Sequence, residues 1–111
     1  MTAEEIKRRI AEQIGDKRNE PHAHGVILDK SLIGPEQIKL IDRSGQTDRV
    51  VEAWLVLIEN PNGTTDDEKG YRIVAKLDGS IFGLASAGFP QDDHLVCIGW
   101  YGDFMQTLEC M

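Results

Sequence analysis

Asp92, Asp93 and His94 place two carboxylates beside an imidazole, the residue types of general acid–base chemistry. They follow Phe89 and Pro90 in a polar stretch and lack a partnered nucleophile, so a solvated surface turn is the plainer reading. A polar pocket shared with Glu59 is the alternative. His22 and His24 are two residues apart, and in an extended segment their rings would share one side as a metal edge. With no Cys or third His nearby, they fall short of the roughly four ligands of a closed metal site. Cys97 and Cys110 lie in an apolar segment and read as a buried pair of reduced thiols rather than a disulfide framework. The glycines at 79, 83, 88, 99 and 102 match no phosphate-binding spacing and are read as turn and bulge residues. Gly83, inside an apolar run, marks a bulge or the close approach of another backbone. No cofactor, no metal and no catalysis is expected from this set.

Charge carries more information. Residues 1–49 balance nine Lys/Arg against nine Asp/Glu, whereas residues 50–111 set three (Lys69, Arg72, Lys76) against ten, and the net charge is −7. One half is therefore expected to present an acidic surface to a basic partner. Its acidic residues gather at Asp66, Asp67 and Glu68 and at Asp92 and Asp93, with Trp100 and Tyr101 as aromatic anchors that serve either a core or an interface. A chain of this sign is repelled by phosphate backbones and anionic lipid, so neither nucleic acid nor a membrane is expected as a direct partner. The charged start lacks the apolar core of a secretory signal, and no stretch approaches the roughly 18 apolar residues of a membrane span. A cytoplasmic location follows from that reading.

These residues need a scaffold, and 111 residues with 41% apolar content suit one domain, 1–111. Thr2 with Glu5 forms a capping-box pattern, and Ile6, Ile10 and Ile14 recur every four residues, which predicts an amphipathic helix over 3–14 ending at Gly15. Its other side, with Glu4, Lys7, Arg8, Glu12 and Gln13, reads as solvated. Residues 15–24 form a polar loop. Residues 25–42 hold two short apolar runs separated by Gly34 and Pro35, with strand favoured over helix for 38–41. Residues 50–59 are apolar on both faces from Trp54 to Ile58, the mark of a strand covered on both sides or facing a partner. A polar loop over 60–70 leads to a strand at 71–77, a turn at Asp78 and Gly79, and a strand at 80–85. A further strand over 95–98 and a final helix capped by Asp103, with Gln106 completing the box, close the chain. The expected architecture is α+β, an antiparallel sheet of four to five strands with an N-terminal and a C-terminal helix.

The order of Glu52–Glu59, Gly70–Val74, Phe82–Ala85 and Tyr101–Leu108 along the chain resembles small bacterial immunity proteins, the partners of polymorphic or contact-dependent toxins. The resemblance covers residues 50–110 and rests on structural punctuation rather than chemistry. It implies a non-enzymatic inhibitor of a cognate protein toxin, for instance a basic nuclease domain, and it assigns no residue a role. Two other classes stand beside it. One is a small enzyme or ligand-binding domain using Asp92, Asp93, His94 and Glu59. The other is a homodimer that pairs strand 54–58 or an open sheet edge with its copy.

Overall fold

Thr2 Oγ1 accepts the Glu5 amide while the Glu5 carboxylate accepts the Thr2 amide, so the capping box opens α1 (Ala3–Ile14). The computed structural model describes residues 1–18, 20–88 and 94–111. After α1 the chain makes a 3-10 turn at Ala23–Gly25 and a short helix α2 (Leu28–Ser31). Five strands follow: β1 (Leu32–Asp42), β2 (Arg49–Ile58), β3 (Arg72–Lys76), β4 (Phe82–Ser86) and β5 (Leu95–Gly102). Helix α3 (Phe104–Glu109) ends the fold, capped by Asp103 and Gln106 as its sequence implies. The α1 side expected to be solvated is used at one point: Gln13 Oε1 accepts the Phe104 amide at 2.7 Å, tying α1 to the start of α3.

The fold is α+β, but the sheet is a closed barrel in the order β1-β2-β3-β4-β5 rather than an open antiparallel sheet. Consecutive strands pair antiparallel, and an odd number of alternating strands leaves the first and last running the same way. Closure is therefore parallel, through Leu40↔Leu95, Ile41↔Val96 and Asp42↔Cys97. Extra residues bend the sheet far enough to close. Residues 82–86 of β4 face residues 96–102 of β5, with register shifts between Phe82 and Gly83 and between Leu84 and Ala85. Ile98 and Tyr101 are skipped by this ladder and stand exposed. Gly83 meets both expectations at once, because it lies at a register shift and a Cβ there would stand 2.5 Å from the Gly99 carbonyl oxygen. The β5 strand runs on to Gly102, four residues beyond the expected end.

Two cores explain the doubly apolar strand. Leu40, Ala53, Leu55, Val74, Ala85 and Cys97 come from all five strands and fill the barrel. Trp54, Val56, Ile73, Phe82 and Leu84 face outward beneath Ile6, Ile10 and Ile14 of α1 and Phe104 and Leu108 of α3, with Phe82 and Phe104 edge to face at 5.9 Å. A register shift between Leu55 and Leu57 puts two successive residues, Val56 and Leu57, into the outer core and turns Ile58 toward the inner one. Residues 53–57 are thus buried by their own chain, and Ile58 is half-buried.

Residues 25–42 differ most from expectation. Val26 and Leu28 are buried in a turn and in α2, and β1 runs unbroken through Gly34 and Pro35. Pro35 is tolerated because the β1–β2 ladder is irregular between Leu32 and Glu36, so no paired amide is required of it. The cysteines are not a buried pair: Cys97 is buried and Cys110 is exposed, and both are free.

Candidate functional site

The loop between β2 and β3 is acidic, yet it is built like a structural element. Asn60 Nδ2 donates to the Glu68 carbonyl at 3.0 Å, and the Thr64 amide and hydroxyl donate to the Glu68 carboxylate at 2.8 and 2.6 Å. Those Thr64 bonds hold the Glu68 carboxyl below its ordinary pKa. Arg72, at the start of β3, fastens the loop from beneath. Its side chain is 3% exposed, and its guanidinium donates to the Asp66 carbonyl at 2.8 Å, the Gly70 carbonyl at 2.8 Å and the Asp66 carboxylate at 3.2 Å. Burial draws the Arg72 pKa down, while Asp66 and Asp67 act in the opposite sense. Asp67 is the member left over, since its carboxylate accepts no hydrogen bond among the described residues.

Among the described residues the β1–β5 pairing covers three residue pairs. Beside this pairing and the loop lies a groove of about 850 Å³. Ile38, Leu55, Ile58 and Leu95 give it apolar walls, and Lys39, Lys69, Asp66, Asp67 and His94 stand around them. A second cavity of about 370 Å³ shares Asp66, Asp67 and Ala87 with it and is bounded by His24, Glu59, Gly70 and Tyr71.

The second cavity holds an arrangement that local sequence did not signal. The Glu59 carboxylate contacts His24 Nδ1, and the His24 ring lies 5.8 Å from Tyr71. Glu59 is anchored by its backbone, whose amide donates to the Tyr71 carbonyl at 2.9 Å and whose carbonyl accepts Ser31 Oγ at 3.2 Å. Gly70, at φ +70°, passes directly under the Glu59 carboxylate, which leaves no room for a Cβ. His24 adopts φ +59°, the one non-glycine residue with positive φ among those described. With Nδ1 donating to Glu59, a neutral His24 ring keeps Nε2 as its basic nitrogen. The two histidines have separate partners, His22 Nε2 donating to the Lys17 carbonyl at 3.0 Å.

The residues singled out from sequence do not converge on one place. Asp66, Asp67 and Glu68 share the loop, and His94 borders the same groove as Asp66 and Asp67. Asp92 and Asp93 fall outside the described residues. Trp100 and Tyr101 sit toward the opposite end of the barrel: Lys76 at the far end of β3 stacks its ammonium 5.3 Å over the Trp100 ring, and Trp100 Nε1 donates to Asp42 Oδ2 at 3.3 Å. Burial pushes the Asp42 carboxyl upward, but hydrogen bonds from Ser44 and Trp100 and the nearby Arg49 outweigh it and hold Asp42 below its ordinary pKa. Trp100 thus packs against the inner core, and Tyr101 is exposed.

Among the described residues no cluster of three or more His, Cys, Asp or Glu is placed to hold a metal ion, and no helix is long and apolar enough to cross a membrane. No protein-family model matches the chain, and no curated protein and no solved structure matches it. The geometry alone carries the functional argument.

Proposed function

We propose that the chain is an immunity-type binding protein that neutralises a cognate protein toxin by direct association, with loop 64–70 as its acidic contact surface. The observation that carries this reading is the Arg72 clamp, which holds an exposed anionic loop in one shape before any partner arrives. A preformed loop loses less conformational entropy on binding than a mobile one. Asp67 supplies uncommitted charge for steering, and Tyr71, next to it around the second cavity, supplies an aromatic contact of the kind that dominates binding energy. A basic domain such as a nuclease is the complementary partner. In this reading Tyr71 takes the anchoring role that the sequence suggests for Trp100 and Tyr101, with Tyr101 on a separate exposed face.

The test is the association rate with the product of the adjacent gene, followed from low to high ionic strength. Asp66→Asn with Asp67→Asn is expected to slow association several-fold at low salt, and Tyr71→Ala to speed dissociation. Association that ignores both salt and these changes overturns the reading.

A ligand-binding or proton-transfer domain is the second reading, favoured by the His24–Glu59 contact beside a cavity. A small molecule that raises the melting temperature of the native chain but not of His24→Ala would replace the first reading with this one.

A further inference from the structure

The end of β3 that carries Lys76 borders a third cavity, of about 340 Å³, within the size range of small-molecule sites. Its described lining shares no residue with the two cavities above, which take in Ala87, Gly88 and His94 on either side of residues 89–93. Val51 and Trp100, both packed against the inner core, and Leu77 give it apolar surface. The indole is fixed through its nitrogen by the buried Asp42 carboxylate, which also accepts the Ser44 amide at 3.0 Å. Trp100 therefore holds its place before any ligand arrives. Charges of both signs stand around this surface without meeting. Lys76 lies over the Trp100 ring, and the Arg49 side chain, 69% exposed, reaches the Asp42 carboxylate at 3.6 Å. Glu52 and Asp78 border the same cavity, and among the described residues no ion pair joins either of them to Lys76 or Arg49. Elsewhere on the surface opposite charges meet directly, Arg18 with Asp29 and Arg43 with Asp48.

We infer that this cavity binds a free α-amino acid: Arg49 and Lys76 take its carboxylate, Glu52 and Asp78 its ammonium, and the indole with its aliphatic neighbours its side chain. The residue types decide the class. A guanidinium and an ammonium together suit one carboxylate, and their donors are not spent on a carboxylate of the cavity rim. A phosphate or another multiply charged anion meets Glu52 and Asp78 and is repelled, and a simple amine meets Arg49 and Lys76 with the same result. A ligand that carries both signs on neighbouring atoms leaves neither pair facing its like. The apolar surface of Trp100, Val51 and Leu77 selects an apolar or aromatic side chain. The inference is independent of the protein-binding reading, since loop 64–70 is fastened by Arg72 at the other end of β3.

The probes are the common α-amino acids, each titrated at millimolar concentration into the isotope-labelled full chain and followed by NMR. At least one with an apolar or aromatic side chain is expected to shift the Trp100 indole signal together with the amides of 49–52 and 76–78. Arg49→Gln and Lys76→Met should each weaken that binding about tenfold, the scale of one charge-assisted contact. Both side chains are exposed, so circular dichroism should stay native. Two analogues test the same contacts on the unaltered chain. The amide of the amino acid, which lacks the carboxylate, should not bind, and the deaminated acid should bind about tenfold more weakly and ignore Glu52→Gln. No shift with any amino acid, shifts confined to the surroundings of His24, or equal binding by the deaminated acid overturns the inference. So does binding that ignores Arg49→Gln and Lys76→Met together.

Discussion

Replacing Arg72 by Met keeps most of the buried stem and removes the guanidinium, so it isolates the clamp from the packing around it. Two of the lost bonds, at 2.8 Å to the Asp66 and Gly70 carbonyls, come from a charged donor that is almost wholly buried. Bonds of that kind contribute about 1.5–3 kcal/mol each, and water reaching the loop carbonyls returns part of it, so the expected cost is about 2–4 kcal/mol. The third bond adds little, because the Asp66 side chain is 73% exposed and its carboxylate regains water when released. At about 2.1 cal/mol/K per residue, unfolding 111 residues carries an entropy of about 0.23 kcal/mol/K, which turns this loss into a fall in melting temperature of about 9–17 °C. Urea unfolding measures the free energy, and hydrogen exchange should show the amides of 64–70 opening far more readily than those of β3. Asp66→Ala is the control and should cost less than about 1 kcal/mol. If Asp66→Ala costs as much as Arg72→Met, or if Arg72→Met costs under about 1 kcal/mol, the loop is not held by the carbonyl bonds and the preformed surface argued above loses its basis.

Three further outcomes follow from the same geometry. Asp42 has a folded pKa below its unfolded one, so its contribution is fully present above the ordinary carboxylate range and is lost as pH falls through the folded value; urea midpoints taken from neutral to acid pH should drop less for Asp42→Asn than for the parent chain, the parent starting more stable. Gly83→Ala forces a Cβ to 2.5 Å from the Gly99 carbonyl, a backbone atom in the neighbouring strand, and calorimetry should show a loss of about 1–3 kcal/mol or more. Cys110 should react with a thiol reagent in the folded protein at mildly alkaline pH, whereas Cys97, buried and with its pKa pushed up to about 11, should react only on unfolding; equal rates for the two would contradict their placement.

Local pattern alone was enough for the pieces whose causes lie within a few residues. Both capping boxes, the Ile6, Ile10 and Ile14 stripe and the Asp78–Gly79 turn involve groups no more than four residues apart from the next, and each stands where its spacing puts it. The apolar run over 54–58 pointed to a strand covered on both sides or facing a partner, and the fold covers 54–57 with its own two cores. Arg72 was visible as one of three cations in an acidic half, six residues after Asp66, although nothing in that spacing said it would be buried.

Closure of the sheet was not readable. It depends on extra residues at Ile98, Tyr101 and Val56, and an alternating pattern does not reveal a bulge until a neighbouring strand fixes the register. The same holds for β1, whose Gly34 and Pro35 spell a break to any local rule and are carried through because the ladder asks no amide of Pro35. The contact of His24 with Glu59 joins residues 35 apart, and the separation of Trp100 from the Asp66 loop follows from their places at opposite ends of β3. Charge and composition along the chain thus determined what kind of surface this protein carries, and the path of five strands around a barrel decided which of those charges share a face. The physical reason is that side-chain periodicity encodes burial one element at a time, whereas proximity between elements is set by register and closure, which the whole chain settles together.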